Sequence, residues 1–116
     1  MTNTIIYHNP RCSKSRETLT LLEAQSSELE IVKYLETPPT TQQLKNIIKL
    51  LGFDSARQLM RTKEDLYKTL KLKDQNNEAL LLQAMVENPK LIERPIVLAN
   101  GKAAIGRPPE SVLAII

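Results

Sequence analysis

The sequence predicts an α/β fold built on a mixed sheet, and two patterns predict it. Near the N-terminus a strand, a helix and a second strand follow one another between Thr4 and Leu35. In the last third an apolar run, an Asn100-Gly101 turn, a return strand and a short helix follow in that order. The first pattern reads as a βαβ unit with parallel strands, because a parallel pair needs a crossover. The second reads as an antiparallel hairpin closed by a helix.

The elements follow from local chemistry. Thr4–His8 is a short β-prone run stopped by Asn9-Pro10. A helical pattern spans about Lys14–Ala24, with Leu19 and Leu22 on one face. Leu29–Leu35 alternates as a strand, with Leu29, Ile31 and Lys33 on one side and Val32 and Tyr34 on the other. Pro38-Pro39 breaks the chain, and Thr40 with Gln43 forms a capping box. The helix it opens carries Leu44, Ile47, Ile48 and Leu51 on one face and ends at Gly52. Short helical stretches are expected near Ser55–Thr62 and Glu64–Leu70, a polar turn over Lys71–Asn77, and a helix over Glu78–Glu87 stopped before Pro89. Ile96–Leu98 and Lys102–Ile105 are the hairpin strands. Gly106 breaks the second, and Pro109 starts a short helix through Ile115. The order βαβ, helical insert, ββα is that of a thioredoxin-like fold. It is read as one domain over residues 1–116, with the helical insert at about 40–88.

Composition narrows the function classes. Of 116 residues 41% are hydrophobic, enough for a core without staples. A net charge of +3 falls well short of the dense positive patch of a duplex-binding protein, and four aromatic residues make no base-stacking platform, so nucleic acid is not an expected partner. One cysteine excludes an internal disulfide, and one histidine beside it argues against a zinc site, so no metal and no bound cofactor are expected. A lone thiol, with neither a signal-peptide core nor a membrane-length apolar run, fits a soluble cytoplasmic protein with no membrane partner. A monomer is expected.

Cys12 lies just after the first strand, at the start of the first helix, in His8-Asn9-Pro10-Arg11-Cys12-Ser13-Lys14-Ser15-Arg16. A helix N-terminus favours an anion, Arg11, Lys14 and Arg16 add positive charge, and Ser13 and Ser15 can donate hydrogen bonds, so the thiol is expected to ionise readily. The same features suit an oxyanion. The motif is C-x-x-S, so a second thiol must come from outside, glutathione being the obvious cellular source. His8 either tunes the thiol or caps its strand. Arg57, Arg61, Arg94 and Arg107 are candidate oxyanion ligands, Arg94 and Arg107 the stronger because they sit at element ends. Pro95 is a candidate cis-proline facing the thiol.

The segments His8-Asn9-Pro10-Arg11-Cys12, Tyr34-Leu35-Glu36-Thr37-Pro38-Pro39 and Arg94-Pro95-Ile96-Val97 resemble the ArsC-like, glutaredoxin-linked arsenate reductases, most closely the short bacterial branch described as arsenate-reductase-related. The resemblance spans essentially the whole chain. It implies a thioredoxin-like fold with a helical insertion, arsenate as substrate, and glutathione with glutaredoxin as reductants. It makes Cys12 the nucleophile, places oxyanion ligands at Arg61, Arg94 and Arg107, preferring Arg61 to Arg57, and gives His8 and Ser15 supporting roles. Arg11, Ser13 and Lys14 depart from the family pattern of a small uncharged residue before the cysteine and glycine after it; Arg11 adds charge that would strengthen anion binding or mark another substrate. Two alternatives remain open: glutathione-linked thiol exchange on another substrate, and a non-enzymatic regulator like the Spx branch, which binds RNA polymerase and typically carries a C-x-x-C switch.

Overall fold

The computed structural model describes residues 4–25 and 28–116. The chain divides into two units, one holding the described residues up to Thr37 with Arg94–Ile116, the other Pro38–Glu93.

The first unit is built on a four-stranded mixed sheet. Its strands are β1 (Thr4–Tyr7), β2 (Leu29–Val32), β3 (Ile96–Ala99) and β4 (Lys102–Ile105), in the order β2-β1-β3-β4. β1 runs parallel to β2, Ile6 opposite Ile31, and antiparallel to β3, Ile6 opposite Val97. The crossover between β1 and β2 is α1 (Ser13–Gln25), as a parallel pair requires. The hairpin turn between β3 and β4 has φ of 53° at Asn100 and 72° at Gly101, the two left-handed residues of a type I′ turn. β2 is shorter than its alternating pattern suggests. After Val32 the N–H groups of Glu36 and Thr37 both bond the Lys33 carbonyl, so Lys33–Thr37 is a turn ahead of Pro38. The closing helix is a 3₁₀ segment, Pro109–Ala114, with proline in its first turn.

Ile6, Leu22, Val97 and Val112 are fully buried against one another, with Leu19, Leu29, Ala104 and Ile115 packed around them. Each side chain removed from water in this way contributes about 1.5–3 kcal/mol. This core clamps α1 and the closing 3₁₀ segment to the sheet, fixing the chain on both sides of Cys12 and around Arg107.

The second unit is helical: α2 (Thr41–Leu50), α3 (Asp65–Thr69) and α4 (Glu78–Glu87), with 3₁₀ turns at Ala56–Leu59, Leu72–Asp74 and Pro89–Leu91. The capping box at Thr40 and Gln43 is formed in both directions. α2 buries Leu44 and Ile47, and α4 buries Leu81, Leu82, Ala84 and Met85. Three details differ from the sequence reading. Lys71–Asn77 is more than a polar turn, because buried Leu72 anchors a 3₁₀ turn with Lys71 at φ 55°. The stretch from Ser55 is helical only to Leu59, after which Met60 is extended and bridges Ile92. The Pro89–Leu91 turn carried no sequence signal beyond its proline.

Candidate active site

Cys12 stands immediately before α1, with its carbonyl accepting the first helical hydrogen bond from the Arg16 N–H at 3.0 Å. That makes it the N-cap, the residue whose side chain faces the unbonded N–H groups of the first turn. The sulfur takes the place of the usual capping oxygen. Burial acts upward on the pKa of this half-buried thiol. The main-chain N–H of Ser15, the Arg94 charge, the N–H of Lys14 and the Arg107 charge together outweigh it, and Cys12 titrates below the ordinary thiol range. The Arg107 guanidinium approaches the sulfur directly. Its Nη2 lies 3.7 Å from Cys12 Sγ, while its Nε donates to the Arg94 carbonyl at 2.8 Å. Both arginines precede cis prolines, Pro95 and Pro108. The second of these was not anticipated from the sequence.

The expected direction of the thiol's pKa agrees with the structure, but two expected causes differ. Ser15 does not turn its hydroxyl to the sulfur. Its fully buried side chain points back along the helix, as helical Cβ atoms do, and lies 2.6 Å from His8 Nδ1 while accepting from the Asn9 N–H at 3.0 Å. The N–H of Ser15, not its hydroxyl, serves the sulfur. Two of the three local cations are otherwise engaged, Arg16 donating to the Pro10 carbonyl at 3.0 Å and Lys14 lying 3.7 Å from Glu17, and Arg11 is not among the charges that act on the thiol. The charges that reach the thiol come from the far end of the sequence.

His8 is buried at the end of β1, and its N–H continues the parallel ladder to Val32 at 2.8 Å. Burial and the charges of Lys33 and Arg16 hold its imidazole below the ordinary histidine range, with Glu23 opposing them. A neutral ring shares one hydrogen with the Ser15 hydroxyl at Nδ1, accepting or donating it according to the tautomer. Asn9 is the residue sequence reasoning passed over. Its carbonyl accepts from the Cys12 N–H and its Oδ1 from the Arg11 N–H, each at 3.0 Å. With its own N–H on Ser15 Oγ, it fixes the loop between strand and thiol. An Asn before Pro is the sequence signal for such a turn.

The remaining candidates lie in the second unit. Arg57 is committed to structure, donating to the Tyr67 hydroxyl, to the Leu72 carbonyl at 2.7 Å and to the Gln75 carbonyl. Arg61 pairs with Glu64 at 2.7 Å, and its N–H donates to the Leu91 carbonyl.

Comparison with known proteins gives this geometry a family. The ArsC family model matches residues 7–115. The chain belongs to the ArsC family. An uncharacterised protein of Escherichia coli K12 is 64% identical over 112 residues, covering 96% of this chain and 94% of that one. A protein of Neisseria meningitidis serogroup A named arsenate reductase is 57% identical over 113 residues, covering 96% of each chain. The solved structure of an arsenate reductase from Vibrio cholerae superposes with a TM-score of 0.94 at 53% identity, covering 99% of this chain and 98% of that one. The mixed sheet and crossover described above are therefore the thioredoxin-like core of an ArsC protein.

Proposed function

We propose that this ArsC-family chain reduces arsenate to arsenite, with Cys12 as nucleophile and with glutathione and glutaredoxin supplying the electrons. The observation that carries the reading is the capped thiol with the Arg107 guanidinium 3.7 Å away. One place thus favours both a sulfur anion and an oxyanion. Arsenate brings negative charge to an already anionic nucleophile, and guanidinium groups offset that repulsion while matching its oxygens.

In the proposed cycle the Cys12 thiolate displaces one arsenate oxygen, which leaves as water after protonation, and an S–As bond forms. A glutathione thiol then bonds the arsenic in the same way, displacing a second oxygen that leaves as water. Reduction from arsenic(V) to arsenic(III) takes two electrons, and two thiols become one disulfide. The glutaredoxin thiolate attacks the glutathione sulfur, the electron pair of that S–As bond stays on arsenic, and water then cleaves the Cys12 S–As bond to release arsenite and the free thiol. Arg94 and Arg107 compensate charge at the thiol, Arg61 is proposed as a further oxyanion ligand on the family motif, and His8, Ser15 and Arg11 are proposed to support the loop. The cycle would run in the cytoplasm.

The test is a coupled assay with arsenate, glutathione and glutaredoxin. Wild type turns over, Cys12→Ser does not, and Arg107→Ala raises the arsenate KM by about tenfold, the cost of one charge-assisted contact. Turnover by Cys12→Ser would overturn the nucleophile. A reactive Cys12 without arsenate turnover would favour thiol exchange on another substrate.

A further inference from the structure

Along the loop that leads to the thiol, past the C-terminal ends of the parallel strands β1 and β2, lies a cleft of about 350 Å³ within the first unit. Crevices beyond the carboxyl ends of parallel strands are favoured binding positions in α/β sheets. One wall is the loop carrying Asn9 and Arg11; the other is the turn after β2 with Lys33, Leu35 and Glu36; His8 lies between them. Both walls are held by main-chain bonds: the Arg11 N–H on Asn9 Oδ1, and the Glu36 and Thr37 N–H groups on the Lys33 carbonyl. Among the described residues Arg11, Lys33 and Glu36 make no ion pair. Leu35 is 40% exposed. The proposed arsenate chemistry uses none of these four side chains to hold a ligand, and Arg11 is one of the residues that depart from the family pattern.

The charge pattern selects a ligand. Two cations and one carboxylate line the cleft with the apolar Pro10 and Leu35, and its Arg11 immediately precedes the nucleophilic cysteine. Glutathione is the inverse of this set, with two carboxylates, one ammonium and a thiol on a tripeptide. A neighbouring cleft in the same unit, lined by Lys14, Glu17, Pro108 and Glu110, has the opposite balance, and its one cation already faces Glu17. We propose that the Arg11–Lys33–Glu36 cleft is the docking subsite for glutathione, with Arg11 and Lys33 on its carboxylates and Glu36 on its ammonium. This rests on glutathione being the external thiol of the proposed cycle.

Thiol–disulfide exchange tests the subsite without arsenate. Reduced protein is mixed with glutathione disulfide or with uncharged bis(2-hydroxyethyl) disulfide. In each case the Cys12 thiolate attacks one sulfur, a mixed disulfide forms and one thiolate leaves, so no further reductant is needed. The measured quantity is the ratio of the two rates, in which any change in thiol reactivity cancels. Lys33→Gln is expected to lower that ratio about threefold and Arg11→Gln with Lys33→Gln about tenfold, the scale of one and two exposed charge contacts. Lys102→Gln, an exposed lysine on β4, leaves it unchanged. An unchanged ratio in the double variant overturns the subsite. So does an equal fall in Lys102→Gln, which would show a net-charge effect only. Lys33→Gln alone decides the matter should the double variant fail to fold. Because arsenate is absent, failure of arsenate turnover leaves this result standing, and the reverse holds equally.

Discussion

Cys12 fills a helix position that usually takes Ser, Thr, Asp or Asn, and this explains its chemistry more directly than its basic neighbours do. The first turn of α1 needs an acceptor, and a thiolate accepts better than a thiol. The helix therefore stabilises the charged form, while Arg94 and Arg107 add to the same effect. A thiol whose folded pKa lies below its unfolded value of about 8.5 contributes stability that is fully present above the unfolded value and lost as pH falls through the folded one. The stability difference between wild type and Cys12→Ser should accordingly grow as pH rises through that window, as read from urea unfolding under reducing conditions. The iodoacetamide reaction of wild type should show a midpoint below that of a free thiol. A midpoint at the free-thiol value, with a flat stability difference, would mean the cap does not act on the sulfur. Position and direction were legible from one residue, Cys12 between strand and helix. The helix N-terminus was legible too, as the main-chain N–H groups of Ser15 and Lys14; the charged partners were not, because the Ser15 hydroxyl is taken by His8 and Asn9, and Arg94 and Arg107 arrive only through tertiary structure.

Among the elements, those with strong local chemistry were readable. Asn100-Gly101 specified a hairpin through two left-handed residues, and Thr40 with Gln43 specified the start of α2; both formed as read. β2 was overread because alternation continues to Tyr34 while the backbone has already turned to bond Lys33. Leu72 shows the converse: one apolar residue in a polar stretch is enough to anchor a 3₁₀ turn, a decision made by burial and not by local pattern. Gly106 was read as a strand breaker, and the structure gives it a packing role as well. A Cβ there would stand 2.4 Å from Thr18 Oγ1 and 2.8 Å from Pro95 Cγ. Thr18 cannot easily give way, being fully buried and bonded to the Lys14 carbonyl at 2.8 Å. Gly106→Ala is therefore expected to cost about 1–3 kcal/mol in denaturant unfolding, the usual scale of overpacking. It should also slow Cys12 alkylation, because Arg107 is the next residue. Full stability with unchanged alkylation would show that the gap closes without disturbing the site.

For the whole molecule, electron counting sets the constraint. Conversion of arsenic(V) to arsenic(III) takes two electrons, and a thiol entering a disulfide gives up one. The chain has one cysteine, so a single copy cannot form the disulfide that the proposed cycle yields; from its own sulfur it could supply both electrons only by carrying Cys12 to a sulfenic acid. Fully reduced protein mixed with excess arsenate and no external thiol should bind oxyanion and release no arsenite from single chains, as measured by chromatographic separation of the two arsenic acids. Any arsenite that forms should be matched by a disulfide-linked pair of chains on a non-reducing gel, with one arsenite per linked pair. Adding glutathione should restore slow turnover, and adding glutaredoxin should raise it further without changing the electron balance, since it only carries the same electrons. Stoichiometric arsenite from unlinked chains would mean that Cys12 gives up both electrons and becomes a sulfenic acid, and would overturn the proposed cycle of disulfide formation with an external thiol.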